Sequence, residues 1–192
     1  LAAFICILFA ILIIYGVRTN SKIAAPFARI ASLGYSIPGA VAAVAVLIPL
    51  AWIDNIISNF ALQYFNISIG LLLTGSWFAL LFAYLVRFLA LSMHSVENSF
   101  IKIPISFDYV AKVLGKSNSS ILTNIHARIG LGGISLGLLI VFVDVLKELP
   151  ATMILRPFGL STLAIKAHEF AIDERLGDAA MPLLAIVAVC LI

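Results

Sequence analysis

Apolar runs of roughly 18 residues, the length a helix needs to cross about 30 Å of hydrocarbon, constrain this chain more than any other feature. Five stretches approach that description: about 1–17, 38–53, 69–91, 129–146 and 181–192. Soluble domains are about a quarter charged, whereas this chain is 11% charged and 63% hydrophobic. The expectation is an all-α, polytopic membrane protein with about five spans. The first and last runs meet the chain ends, and Leu1 is no initiator methionine, so the sequence reads as a piece of a longer polypeptide, incomplete at both ends. Residues 1–17 lack the basic start and small-residue cleavage site of a signal peptide and read as a span. Cys6 and Cys190 stand alone in apolar runs, where a thiol behaves as a small hydrophobe.

Cytoplasmic loops are enriched in Lys and Arg, which gives an orientation. Connection 18–37 holds Arg18, Lys22 and Arg29 with no acid. Connection 54–68 holds Asp54 and no base, and 92–128 holds Lys102, Lys112, Lys116 and Arg128, with Arg87 just inside the preceding run. The last connection, 147–180, sets Lys147, Arg156, Lys166 and Arg175 against Glu148, Glu169, Asp173, Glu174 and Asp178. The pattern puts 92–128 in the cytoplasm and 147–180 on the far side.

A connection of about 37 residues is too long for a turn and is expected to carry structure of its own. Met93, Val96, Phe100 and Ile103 keep a helical spacing that extends the third run until Pro104 stops it. A second helix follows over 106–114, with Ser106 as its start, Asp108 in the first turn, Lys112 in the last and Gly115 as the stop. Phe107, Val110, Ala111 and Leu114 fall at i, i+3, i+4 and i+7 and give it one apolar face. That face needs a cover: the protein's own helices, the lipid surface, or a partner.

The continuation Ser117-Asn-Ser-Ser-Ile-Leu-Thr-Asn-Ile-His-Ala-Arg128 brings the region close to a known pattern. It resembles the EAA loop of ABC importer permeases, with Ala111, Gly115 and Ile125 in matching positions. Tyr109 departs from that loop's Glu, Val110 from its Ala, and Ala127 and Arg128 from its Leu and Pro. More specific are Val141-Phe-Val-Asp-Val-Leu-Lys-Glu-Leu-Pro-Ala-Thr152, Leu155-Arg-Pro-Phe-Gly159, Thr162-Leu-Ala164 and Asp173-Glu-Arg-Leu176, with Arg29-Ile-Ala-Ser-Leu-Gly-Tyr-Ser-Ile-Pro-Gly39 before the second run. Over roughly 28–192 the chain is similar to the second permease half of ferric-iron, binding-protein-dependent ABC importers.

The resemblance implies a type I (MetI-like) permease domain over 1–192, with 92–128 as its cytoplasmic coupling loop in a bacterial inner membrane. It implies cytoplasmic ATP-binding subunits, a periplasmic substrate-binding protein and a second permease half, fused or separate, as partners. Phe107, Val110, Ala111, Leu114, Gly115 and Ile125 would then form the ATPase-coupling helix and its surround. Asp144, Glu148, Pro150 and Thr152 would form a gate at a broken span end, Pro150 forcing the break. A charge at membrane depth is costly and tends to face a cavity or a partner, which singles out Asp144. It can pair with Lys147 or line the outer pathway. The alternatives are the same machine carrying thiamine, sulfate or a phosphonate, and a membrane scaffold or enzyme without ATPase coupling.

Gly133-Ile-Ser-Leu-Gly137 has the form of a serine nucleophile motif, but that chemistry needs a basic partner within the bundle, and His94, His126 and His168 are all expected in loops. Glycines four apart are better read as close helix packing. His168-Glu169 lacks the second histidine of a zinc protease, with Ala171 and Ile172 in its place. With no glycine-rich phosphate loop, the chain is not expected to hydrolyse ATP, to carry a cofactor or to hold catalytic residues, and no metal ligands are assigned. A net charge of +3 spread over the loops gives no nucleic-acid footprint.

Overall fold

The computed structural model describes residues 1–191, and among them it contains helices and turns and no strand. Helix α1 (Ala2–Arg18) is followed by a short α2 (Ala24–Ser32) packed on it, then a 3₁₀ turn at Gly34–Ser36. After α3 (Gly39–Phe65) and α4 (Trp77–Phe100) come α5 (Ile105–Val113), α6 (Asn118–Ile121), a π-helical segment (Leu122–His126) and α7 (Ala127–Ile129). The chain continues through α8 (Leu131–Leu146), α9 (Pro150–Leu155), α10 (Leu163–Ile172) and α11 (Leu176–Cys190).

Each of the five apolar runs overlaps a helix among the described residues, but the bounds and lengths differ from expectation. Among the described residues, only α3 and α4, at 27 and 24 residues, are long and apolar enough to cross a membrane unaided. A third span arises if Asn118–Ile129 and α8, bent by 76° at Gly130, count as one. Helices α1 and α11 are apolar but shorter, at 17 and 15 residues.

The outer connection expected at 54–68 is largely absorbed into α3, and α4 begins at Trp77 instead of near 69. Asp54 explains the difference. Far from being a solvated loop charge, it is buried, and it accepts the backbone N–H groups of Leu72, Leu73 and Thr74 and the Thr74 hydroxyl. A carboxylate so satisfied no longer needs water, and the helix continues past it. Asn66, in the left-handed region at φ 53°, then ends α3.

Two compact units divide the chain: Leu1–Tyr35 with Phe88–Phe142, and Ser36–Arg87 with Val143 onward, the boundaries falling inside α4 and α8. In the first, Cys6, Ala10, Val96, Phe100, Ile121 and Val141 are buried. Met93 and Ile103 are buried with Val96 and Phe100, so the predicted stripe does face inward. Gly133 and Gly137 let α8 approach its neighbours: a Cβ at Gly133 would strike Ser99, and one at Gly137 would lie 2.7 Å from the Ser95 Cβ and 3.1 Å from the Ile7 Cδ1. In the second unit, α9 packs on α3 and α10 pairs with α11. All three histidines are on helical segments, contrary to expectation: His94 in α4, His126 in the π segment and His168 in α10.

Candidate functional site

Within the second unit the break after α8 has a defined construction. The last turn of α8 ends in hydrogen bonds from Lys147 N to Val143 O and from Glu148 N to Val145 O, both 3.3 Å. Pro150 occupies the first position of α9, where its missing N–H costs nothing. Pro150 is exposed, whereas Glu148 and Thr152 are buried. The Glu148 carboxylate turns inward: Oε1 accepts from Arg87 Nη1 at 2.6 Å and from Ala151 N at 3.2 Å. Thr152 Oγ1 donates to the Glu148 carbonyl at 2.8 Å and is also hydrogen-bonded to the Tyr84 hydroxyl. The side chain of Arg87 is 21% exposed and that of Glu148 5%. Gly39, the first residue of α3, leaves room for the pair, since a Cβ there would overlap the Arg87 guanidinium and the Glu148 carboxylate.

Of the four residues expected here, Glu148 and Thr152 meet at one place and Pro150 starts the helix beside them. Asp144 is separate: buried at 8% exposure, it forms an ion pair with the exposed Lys147 at 2.6 Å, one turn along. Arg87, Tyr84 and Gly39 are additions that sequence reasoning missed. In the sequence Arg87 stands with the bases that lead into connection 92–128, yet it lies well inside α4 and pairs with Glu148. Its signal was present, because an arginine in an apolar run must find a counter-charge.

Farther along this unit, Arg156 Nη1 donates to the Leu160 carbonyl and to Glu169 Oε1, the latter at 3.2 Å, and Lys166 reaches Glu169 Oε2 at 3.0 Å. These bonds, Lys166 first and Arg156 second, hold the Glu169 carboxyl below its ordinary range.

In the first unit, α5 begins at Ile105 with Pro104 in the capping position, so Ser106 lies inside the helix and does not cap it. Of the residues of α5 only Ala111 is buried. Phe107, Val110 and Leu114 are exposed, and with Ser106, Ala111 and Ile125 they line one apolar hollow of about 290 Å³. Gly115, at φ 73°, ends the helix, with Lys116 N bonded to Ala111 O at 3.0 Å and Gly115 N to Lys112 O at 2.9 Å. This paired closure requires a left-handed residue, which glycine supplies without strain. The six residues expected around the coupling helix are therefore adjacent in space.

Behind that face sits a charged cluster. Asp108 Oδ2 accepts from Arg18 Nε at 2.7 Å, and Asp108 Oδ1 lies 2.6 Å from His126 Nε2. Arg18 also donates to the carbonyls of Phe100 at 2.6 Å and Ile103 at 2.7 Å. His126 is fully buried, between the rings of Tyr15 and Phe100 at centroid distances of 5.3 and 5.0 Å. Burial pushes the Asp108 carboxyl up, but the bonds from Arg18 and His126 outweigh it and hold it below the usual range. Among the described residues no group of three or more His, Cys, Asp or Glu side chains is arranged to hold a metal ion.

No family model matches the chain. Over 123 residues it is 24% identical to the Fe(3+)-transport system permease protein FbpB 2 of Haemophilus influenzae, a match that takes in 64% of this chain and 24% of that protein. The chain thus corresponds to about a quarter of that relative's length. The likeness to a permease and the apolar helices agree on a helical membrane protein.

Proposed function

We propose that the chain is part of the transmembrane permease of a bacterial binding-protein-dependent ABC importer for ferric iron, working by alternating access. The observation that carries this is the apolar hollow of α5, lined by Phe107, Val110, Ala111, Leu114 and Ile125, in which Phe107, Val110 and Leu114 stand exposed among the described residues. An ATP-binding subunit docked there from the cytoplasm would push on α5 as it closes. Iron as the cargo is supported by the LKELPAT and LRPFG stretches and by the name of the relative.

In this scheme the segment 147–180 faces the periplasm and receives solute from the binding protein. The Arg87–Glu148 pair braces the closed gate at the start of α9, so that opening must move or break it. This chain contributes no ATP site of its own; the nucleotide belongs to the partner subunit, and a second permease half, fused or separate, completes the path. A two-state bundle needs only differential contacts to α5 in its two states to be driven this way.

The test uses the complete complex in liposomes. Ala111→Glu places a charge in the hollow and is expected to leave membrane insertion intact while ATP-driven uptake of labelled ferric iron falls roughly tenfold or more, a difference of about 1.4 kcal/mol or larger. Unchanged uptake and ATP hydrolysis would remove the coupling role. Uptake of another solute in place of iron would keep the machine and replace its cargo.

A further inference from the structure

We infer that Arg18, Asp108 and His126 form a strut that carries movement of α5 into the helices of its unit, making them positioning residues for transport; this rests on the coupling role proposed for α5. The starting point is how little else holds that helix. Ala111 is its only buried residue, and the large apolar side chains Phe107, Val110 and Leu114 face outward. A force applied to the outer face therefore reaches the rest of the unit through Ala111, the chain on either side, and the Asp108 carboxylate.

The carboxylate is gripped from two directions. One oxygen takes the Arg18 guanidinium at 2.7 Å and the other the His126 ring at 2.6 Å. Arg18 is the last residue of α1, and its remaining nitrogens hold the carbonyls of Phe100, the last residue of α4, and of Ile103. A planar fork holds three acceptors in one fixed geometry, whereas the three donors of a lysine sit on a single rotating point charge. His126 belongs to the π segment that leads into the 76° bend before α8. It cannot swing freely, because it is fully buried between Tyr15 and Phe100. The bend is equally crowded: a Cβ on Gly130 would lie 2.7 Å from the His126 carbonyl oxygen and 3.2 Å from the Phe100 ring. Tyr15 adds a bond from its hydroxyl to the Asn118 carbonyl at 2.9 Å. The end of α1 and the π segment thus meet on one carboxylate of α5, and the end of α4 is tied to it through the Arg18 guanidinium. Short π segments within helices recur at functional positions, where they redirect side chains.

A cluster that only stabilises the fold and one that transmits motion make different predictions. The complete complex is reconstituted in liposomes with iron-loaded binding protein, and ATP hydrolysis and iron uptake are measured on the same vesicles. Asp108→Asn is expected to keep hydrolysis within about twofold while uptake per ATP falls roughly tenfold, the scale of an ordinary coupling free energy. Arg18→Lys, which keeps the charge and loses the fork, is expected to show an intermediate loss of uptake per ATP, and it decides by the same ratio if Asp108→Asn does not assemble. Unchanged uptake per ATP, or hydrolysis and uptake falling in proportion, overturns the strut while leaving the importer standing. A wild-type complex with no ATP-driven uptake overturns the functional reading and the strut together.

Discussion

Asp108 in one unit and Glu148 in the other each hold an arginine at close range, Arg18 at 2.7 Å and Arg87 at 2.6 Å, yet the surroundings of the two pairs differ. Around the first pair the remaining bonds go outward to separate pieces of chain: Asp108 meets a histidine on the π segment, and Arg18 donates to two carbonyls at the end of α4 and just beyond it. Around Glu148 they turn back locally, to Ala151 and Thr152 at the start of α9, and Gly39 closes the space. The first arrangement fixes the attitude of a helix whose outer face is bare. The second stiffens a break in a helix and leaves its charges little room to relax.

That contrast is most directly broken at Glu148. Neutralising Glu148 takes from the part-exposed Arg87 its counter-charge at 2.6 Å, so Glu148→Gln is expected to cost about 3 kcal/mol, the lower end of the cost of breaking a buried pair. Replacing both partners with Arg87→Met and Glu148→Leu should recover most of the loss. Thermal unfolding in detergent compares the two, and a double variant no more stable than the single would show that the pair's geometry, and not its stranded charge, matters. Gly39→Ala probes the same pocket without removing a charge: the new methyl must displace the Arg87–Glu148 contact, at a cost of about 1–3 kcal/mol. An alanine variant as stable as the parent would mean that the pair has somewhere else to go.

The smallest effect concerns the other cluster and acid. The folded carboxyl of Asp108 is held below its unfolded value of 3.8, so its contribution is complete above that pH and is lost as pH falls through the lower folded value. The gap in melting temperature between the parent and Asp108→Asn should therefore stay constant from neutral pH to about 4 and shrink below it. A gap that closes between pH 7 and 5 would place the titration on another group.

These differences in reach also explain what the sequence could reveal. The α5 face was legible because Phe107, Val110, Ala111 and Leu114 are separated by a few residues, and a period of 3.6 needs no knowledge of the fold. Gly115 was legible for the same local reason. The sequence places the helix start one residue late because Ser106 offers a capping hydroxyl, whereas Pro104 already takes up the extended conformation that opens the helix. Arg87 and Glu148 lie 61 residues apart, and no local pattern joins them. Asp54 misled in the opposite sense, since counting loop charges assumes that an acid between two runs is in water. For His126 the sequence predicts a loop, because a lone imidazole among Asn, Ile and Ala gives no period, and only the packing of Tyr15 and Phe100 reveals that it is enclosed.

The Asp54 anchor bears on the order in which the chain is assembled. Its partners lie only 18 to 20 residues downstream, whereas Arg18 waits 90 residues for Asp108 and Arg87 waits 61 for Glu148. A contact with so short a loop to close pays little entropy and needs nothing beyond Thr74 to be present. The α3–α4 corner is thus able to lock while the rest of the polypeptide is still being made. It ties residues 72–74 to α3 across a loop far shorter than the one either arginine must close to reach its acid.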